Sequence, residues 1–206
     1  MASVALGAKD GVAKRADLTV VKADVFNKGE KVPDPDAIAP ERWLDGLAEV
    51  YDDIIRNNMN GKAVLSMSWG YDRRKDPEYD ACLKDAYTAI LTGIIAHNVV
   101  PVVAAGQSKG LPPPDFPNIQ TYPALLADLG QGGIAELVVV TAVDKDGNVS
   151  PDAFYAKDTI AAMGEDSHCA ASQGGTSDDY HDEPGTSPGE CFALPFPFPC
   201  CLILAS

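Results

Sequence analysis

Basic side chains are scarce in this sequence. Its 206 residues carry 16 Lys and Arg against 30 Asp and Glu, a formal net charge of -14. Such a balance repels phosphate backbones and anionic lipid, so neither nucleic acid nor a membrane surface is an expected partner. The chain also lacks the run of about 18 apolar residues that a membrane-spanning helix needs. Its first fifteen residues, Met1 to Arg15, have no apolar stretch behind a positive flank, so no secretory signal is read there and no compartment is assigned. The five cysteines, Cys82, Cys169, Cys191, Cys200 and Cys201, are odd in number and irregular in spacing. They form neither a disulfide framework nor a zinc pattern. The three histidines, His97, His168 and His181, are not spaced with further donors into a four-ligand set, so no metal and no cofactor are expected. Gly106 follows an apolar run, but Gly110-Leu111-Pro112-Pro113-Pro114 comes next, and prolines cannot supply the amides of a phosphate loop. Gly130-Gln131-Gly132-Gly133 precedes an apolar run instead of following one, so it is no dinucleotide fingerprint.

What remains is an alternation of apolar segments of two periods. Leu18 to Ala23 is a short β-branched run, read as a strand, and Pro33-Asp34-Pro35 breaks the chain after it. Trp43, Leu44, Leu47, Val50, Tyr51, Ile54 and Ile55 recur at steps of three and four, which puts them on one helical face, with Gly61 as the stop. Ala63 to Met67 reads as the next strand. Asp76-Pro77 is a helix start, with a capping oxygen before a proline in the first turn. Leu83, Ala86, Tyr87, Ile90, Leu91, Ile94 and Ile95 then form a second apolar stripe. Val99 to Ala104 and Leu137 to Val143 are continuously apolar, as strands covered on both faces are, and Asp144 to Asn148 closes the latter with a turn.

Strand, helix, strand, helix, strand implies parallel pairing through right-handed crossovers: an α/β protein with a mostly parallel sheet in a three-layer arrangement, helices on both faces. Ligand sites in such sheets lie beyond the carboxyl ends of the strands. Ser68-Trp69-Gly70 and Ala104-Ala105-Gly106-Gln107 both fall there. From Gly164 onward the pattern fades into Gly, Ser, Asp and Pro. The expected division is a domain over residues 1–188 and an irregular Cys-, Phe- and Pro-rich tail over 189–206, where Phe196-Pro197-Phe198-Pro199 forbids a helix or central strand.

In this order the segments resemble the subtilisin-like serine peptidases. Ala63 to Gly70 is similar to that family's strand ending in N-M-S-x-G. Val99 to Gln107 is similar to the strand ending in A-A-G-N, and Tyr122-Pro123-Ala124 to the Y-P-A that follows. Leu137 to Phe154 resembles the V-x-A-V-D strand with its turn and S-F. Gly185-Thr186-Ser187 resembles the start of G-T-S-M-A-x-P, and Ala2 to Ala13 the segment after H-G-T-x-V-A. The resemblance runs from about residue 2 to 187. It implies a serine endopeptidase acting on an extended peptide or protein. Ser187 would be the nucleophile and Gln107 the oxyanion donor. Ser68, Trp69, Gly70, Ala104, Ala105 and Gly106 would form the substrate edge, with the Trp69 ring as either pocket wall or core. It also implies truncation at both ends. The D-[ST]-G and H-G-T boxes would precede Met1, Gln107 stands where the family has asparagine, and Pro188-Gly189-Glu190-Cys191 stands where a buried helix should begin. The chain by itself is therefore expected to lack appreciable peptidase activity, the alternatives being a peptide-binding pseudo-peptidase or an unrelated α/β hydrolase.

Overall fold

In a computed structural model of the chain, the crossover pattern of the sequence becomes a six-stranded sheet in which every described pairing is parallel. The structure describes residues 5–6, 11, 13, 15–21, 39–107, 119–127, 133–156, 158–165, 168–170, 180–182, 185–188 and 201–205. Strand β1 is Asp17–Val21, helix α1 Pro40–Arg56, β2 Ala63–Met67, β3 Tyr71–Asp72, α2 Pro77–Ala96, β4 Val100–Ala104 and β5 Thr121–Tyr122. They are followed by β6 Val138–Val143, β7 Ile160–Met163, β8 His168–Ala170, β9 Tyr180–Asp182 and β10 Cys201–Ala205. The sheet order is β1-β10-β2-β4-β6-β7, and β3-β5 and β8-β9 are separate two-stranded antiparallel pairs.

Each long helix is set by its own sequence. Pro40 opens α1, and Leu47, Val50 and Ile54 bury its apolar stripe. The Asp76 carboxylate caps α2 by accepting from the amides of Glu78 and Tyr79 at 3.0 and 3.3 Å, with Pro77 behind it. Leu83, Tyr87, Leu91 and Ile94 are the buried face of α2. The two helices pack on each other, and Tyr51 of α1 crosses α2 at Gly93, where an added Cβ would lie 3.2 Å from the Tyr51 ring. Both crossovers advance the same way along the sheet, so right-handedness puts both helices on one face. Ala63, Leu65, Met67, Val103 and Val139 join them in one core cluster. The intervening residues Val64, Ser66, Val102, Val140 and Ala142 are buried as well, so the opposite face is also covered. That is why these strands read as unbroken apolar runs.

Residues 201–205 correct one expectation. They are not part of an irregular tail: β10 lies between β1 and β2, pairing Leu202 with Leu18 and Val64, and Ile203 with Thr19 and Leu65. The prolines that forbid a central strand end at Pro199, and Cys201 to Ala205 is an apolar run of strand length. The Pro33–Pro35 break, Gly110 to Pro114, Gly130 to Gly132, Cys191, Phe196 to Pro199 and most of the segment from Ala2 to Ala13 lie outside the described residues.

Candidate active site

Four chain segments meet where the parallel strands end. Beyond β2 come Ser68, Trp69 and Gly70, and beyond β4 come Ala105, Gly106 and Gln107. Beyond β7 comes Gly164, and Gly185 leads into one helical turn over 186–188. Main-chain hydrogen bonds hold the last three of them to the sheet and to one another. Ala105 N–H donates to the Val140 carbonyl at 2.8 Å, Phe154 N–H to that of Gly106 at 3.0 Å, Gly164 N–H to that of Val143 at 3.0 Å, and Gly185 N–H to that of Gly164 at 2.7 Å. The Thr141 hydroxyl fixes the Phe154 carbonyl at 2.7 Å, and Gln107 forms a bridge with Ala153.

This convergence needs glycine. A Cβ on Gly164 would fall 2.3 Å from the Gly185 carbonyl oxygen and 2.5 Å from the Ala142 Cβ. Gly106 has φ +93°, and a Cβ there would meet the Thr121 hydroxyl at 2.9 Å. Side chains are excluded so that backbones can close on one another.

The close approach brings Ser187 and Gln107 to the same corner. The half-buried Ser187 hydroxyl donates to the Ser68 carbonyl at 3.2 Å. The exposed Gln107 side chain lies against Gly185, two residues before Ser187, where a Cβ would sit 2.1 Å from the Gln107 amide nitrogen. Ser68, Gly70 and Gly106 line the same strand ends, and Gly70 abuts β5, where a Cβ would come within 3.1 Å of the Tyr122 carbonyl oxygen. Ala104 and Ala105 are buried, and the Ala105 N–H is already engaged by Val140. The Trp69 ring turns toward the helices. It stacks on Trp43 of α1 at 4.5 Å between centroids and tilts against Tyr87 of α2 at 6.1 Å. Burial raises the Tyr87 hydroxyl pKa well above the ordinary tyrosine value, and its proton goes to the Pro40 carbonyl at 2.9 Å. The partly buried Trp69 ring thus packs against the core.

His97 lies at the opposite end of the sheet, at the end of α2, edge-on to Tyr51 at 5.7 Å. His168 and His181 lie on β8 and β9, where His181 pairs with Cys169. Among the described residues no group of three His, Cys, Asp or Glu could hold a metal ion, and no helix is long and apolar enough to cross a membrane. The sequence flags Gly185 as the start of Gly185-Thr186-Ser187 and Gly164 as the point where periodicity fades, but carries no signal that the two meet.

A mostly parallel sheet with helices is an α/β fold of the kind found in subtilisin-like protease domains. Solved structures of that kind match the chain. The self-cleaved protease domain of PatA superposes with a TM-score of 0.54 at 17% identity, over 89% of this chain and 71% of that one. The prenylagaramide maturation protease PagA gives 0.54 at 15% identity, over 89% and 67%. The PatG macrocyclase, solved in complex with peptide, gives 0.50 at 16%, over 78% of this chain and 41% of its own. No protein-family model matches the sequence, and no curated protein does. At these identities the likeness shows the fold.

Proposed function

We propose that this chain carries the nucleophile and substrate edge of a subtilisin-like serine endopeptidase, the reaction class being peptide-bond hydrolysis, and that as the isolated chain it binds extended peptide without cutting it. The observation that carries this reading is the 3.2 Å hydrogen bond from Ser187 to the Ser68 carbonyl, made beside the Gln107 amide. Ser187 is the attacking hydroxyl of this reading, and the Gln107 amide is the donor to the tetrahedral oxyanion. Glutamine is one methylene longer than the asparagine of the resemblance, so its NH₂ overshoots. Loss of one such donor costs roughly 10²–10³ in turnover, a magnitude that belongs to subtilisin itself. The Ser68–Gly70 backbone receives substrate as an added strand.

Chemistry requires a base to take the Ser187 proton, and that proton is given to a backbone carbonyl instead. A serine hydroxyl without a base is a weak nucleophile. Incubation with a fluorophosphonate probe followed by intact mass measurement is expected to show no stoichiometric adduct; full labelling at Ser187 would falsify the non-cutting half of the proposal. Calorimetry with an extended neutral peptide is expected to show binding that Gly70→Pro abolishes while the circular dichroism spectrum stays unchanged.

A further inference from the structure

The acidic chain gathers four of its cations at one place. Arg73, Arg74, Lys75 and Lys84 line a cleft of about 350 Å³ together with Pro77, Asp80, Ala81 and Tyr122. Asp80 is its only carboxylate, and that carboxylate is spent. It accepts from the Arg74 amide at 2.8 Å, from the Arg73 guanidinium at 3.2 Å and from the Tyr122 hydroxyl at 3.3 Å. The neighbouring Asp76 carboxylate is engaged at the amides of Glu78 and Tyr79. Arg74 lies over the Tyr71 ring at 5.9 Å and within electrostatic reach of the Glu41 carboxylate. Lys75 and Lys84 make no ion pair with any described carboxylate. The first turn of α2, from Pro77, adds the positive end of its dipole. In a molecule of net charge -14, four cations thus line one cleft whose own carboxylate, Asp80, is buried, with Asp76 and Glu78 at the adjoining start of α2.

The cleft also continues the edge assigned to substrate. Arg73 follows Gly70 by three residues, and Gly70 abuts the Tyr122 carbonyl of the strand whose ring lines the cleft. We propose that this cleft is a subsite for a Glu or Asp side chain of a peptide laid along Ser68 to Gly70, Lys75 and Lys84 supplying the pairing charges and Asp80 holding Arg73 and the Arg74 backbone in place. The inference rests on the peptide-edge reading above and gives that edge a preference for acidic sequences.

The test uses the full chain and a set of Ala/Ser decapeptides in which a single Glu is walked along the length, each against its Gln counterpart, read by fluorescence anisotropy. One or two adjacent Glu positions should bind at least tenfold tighter than Gln, and this gain should shrink at high salt. Lys75→Ala with Lys84→Ala should erase the gain, and Lys75→Arg with Lys84→Arg should keep it. If Gln peptides bind and no Glu position stands out, the acidic subsite falls and the peptide edge stands. A Glu preference that survives the double alanine variant also sinks the subsite. If no peptide binds, both readings fall.

Discussion

The two ends of the sheet solve the same problem, turning the chain, in opposite ways. At the amino end, the turns leaving α1 and α2 are closed by polar side chains and backbone that satisfy one another. Asn58 and Asn98 adopt φ of 51° and 53°, Gly61 N–H donates to the His97 carbonyl at 2.9 Å, and Asn98 donates to the Asn60 side chain at 3.1 Å. At the carboxyl end the turns rely on glycine: the Gly185 carbonyl leaves Gly164 no room for a Cβ, and the Gln107 side chain leaves none at Gly185. The first arrangement uses asparagine to stop helices. The second brings a serine hydroxyl and a side-chain amide to one corner. The contrast separates turns closed by polar side chains from turns closed by the absence of a Cβ.

Substitutions at the two ends should separate in size and in kind. The largest effect is expected at Gly164→Ala, where the new methyl meets backbone that cannot yield. It should cost about 3 kcal/mol in urea unfolding and disturb Ser187. A cost within about 0.5 kcal/mol would remove the packing argument for the corner. Next comes Asp80→Ala, which leaves the Arg74 amide and the Tyr122 hydroxyl without their acceptor and should cost about 2 kcal/mol. At the other end, Gly61→Ala meets open space, its nearest neighbour being the Asn98 Cβ at 3.9 Å, so only the φ of +68° is penalised. It should cost about 1 kcal/mol and leave peptide binding untouched. A peptide affinity that responds to Gly61→Ala would break the division between the two ends.

The smallest effect is pH-dependent. The Tyr79 hydroxyl of α2 donates to the Glu41 carboxylate of α1, and this bond holds the Glu41 pKa below its usual 4.5. A carboxyl whose folded value is lowered stabilises the fold above its unfolded value, and that contribution disappears as pH falls through the folded one. Tyr79→Phe should therefore lower Tm slightly at neutral pH, so exposed a pair contributing less than about 1 kcal/mol. The difference from the parent should vanish in acid. A difference that grows on acidification would contradict the assignment.

Much of the scaffold was legible because its signals are local. The stripes of α1 and α2, the Asp76 cap and the doubly covered strands β2, β4 and β6 each follow from spacing or from one side chain finding nearby amides. Strand β7 escaped notice because Ile160 and Met163 are about half exposed at a sheet edge, where alternation is weak. β10 was concealed by the prolines just before it, since a strand's neighbours in space are unrelated to its neighbours in sequence.

The sequence by itself determined the parallel α/β order and placed Ser68 and Gln107 at strand ends, because hydrophobic period and crossover handedness act over a few tens of residues. Only the tertiary structure decided that Ser187 reaches the Ser68 carbonyl 119 positions away, that Trp69 faces Trp43, and that Arg73 to Lys75 share a cleft with Lys84 and Tyr122. Those meetings depend on which backbones can approach without a Cβ between them and on which strand fills the slot between β1 and β2. Both are properties of the packed sheet, which no stretch of the chain contains alone.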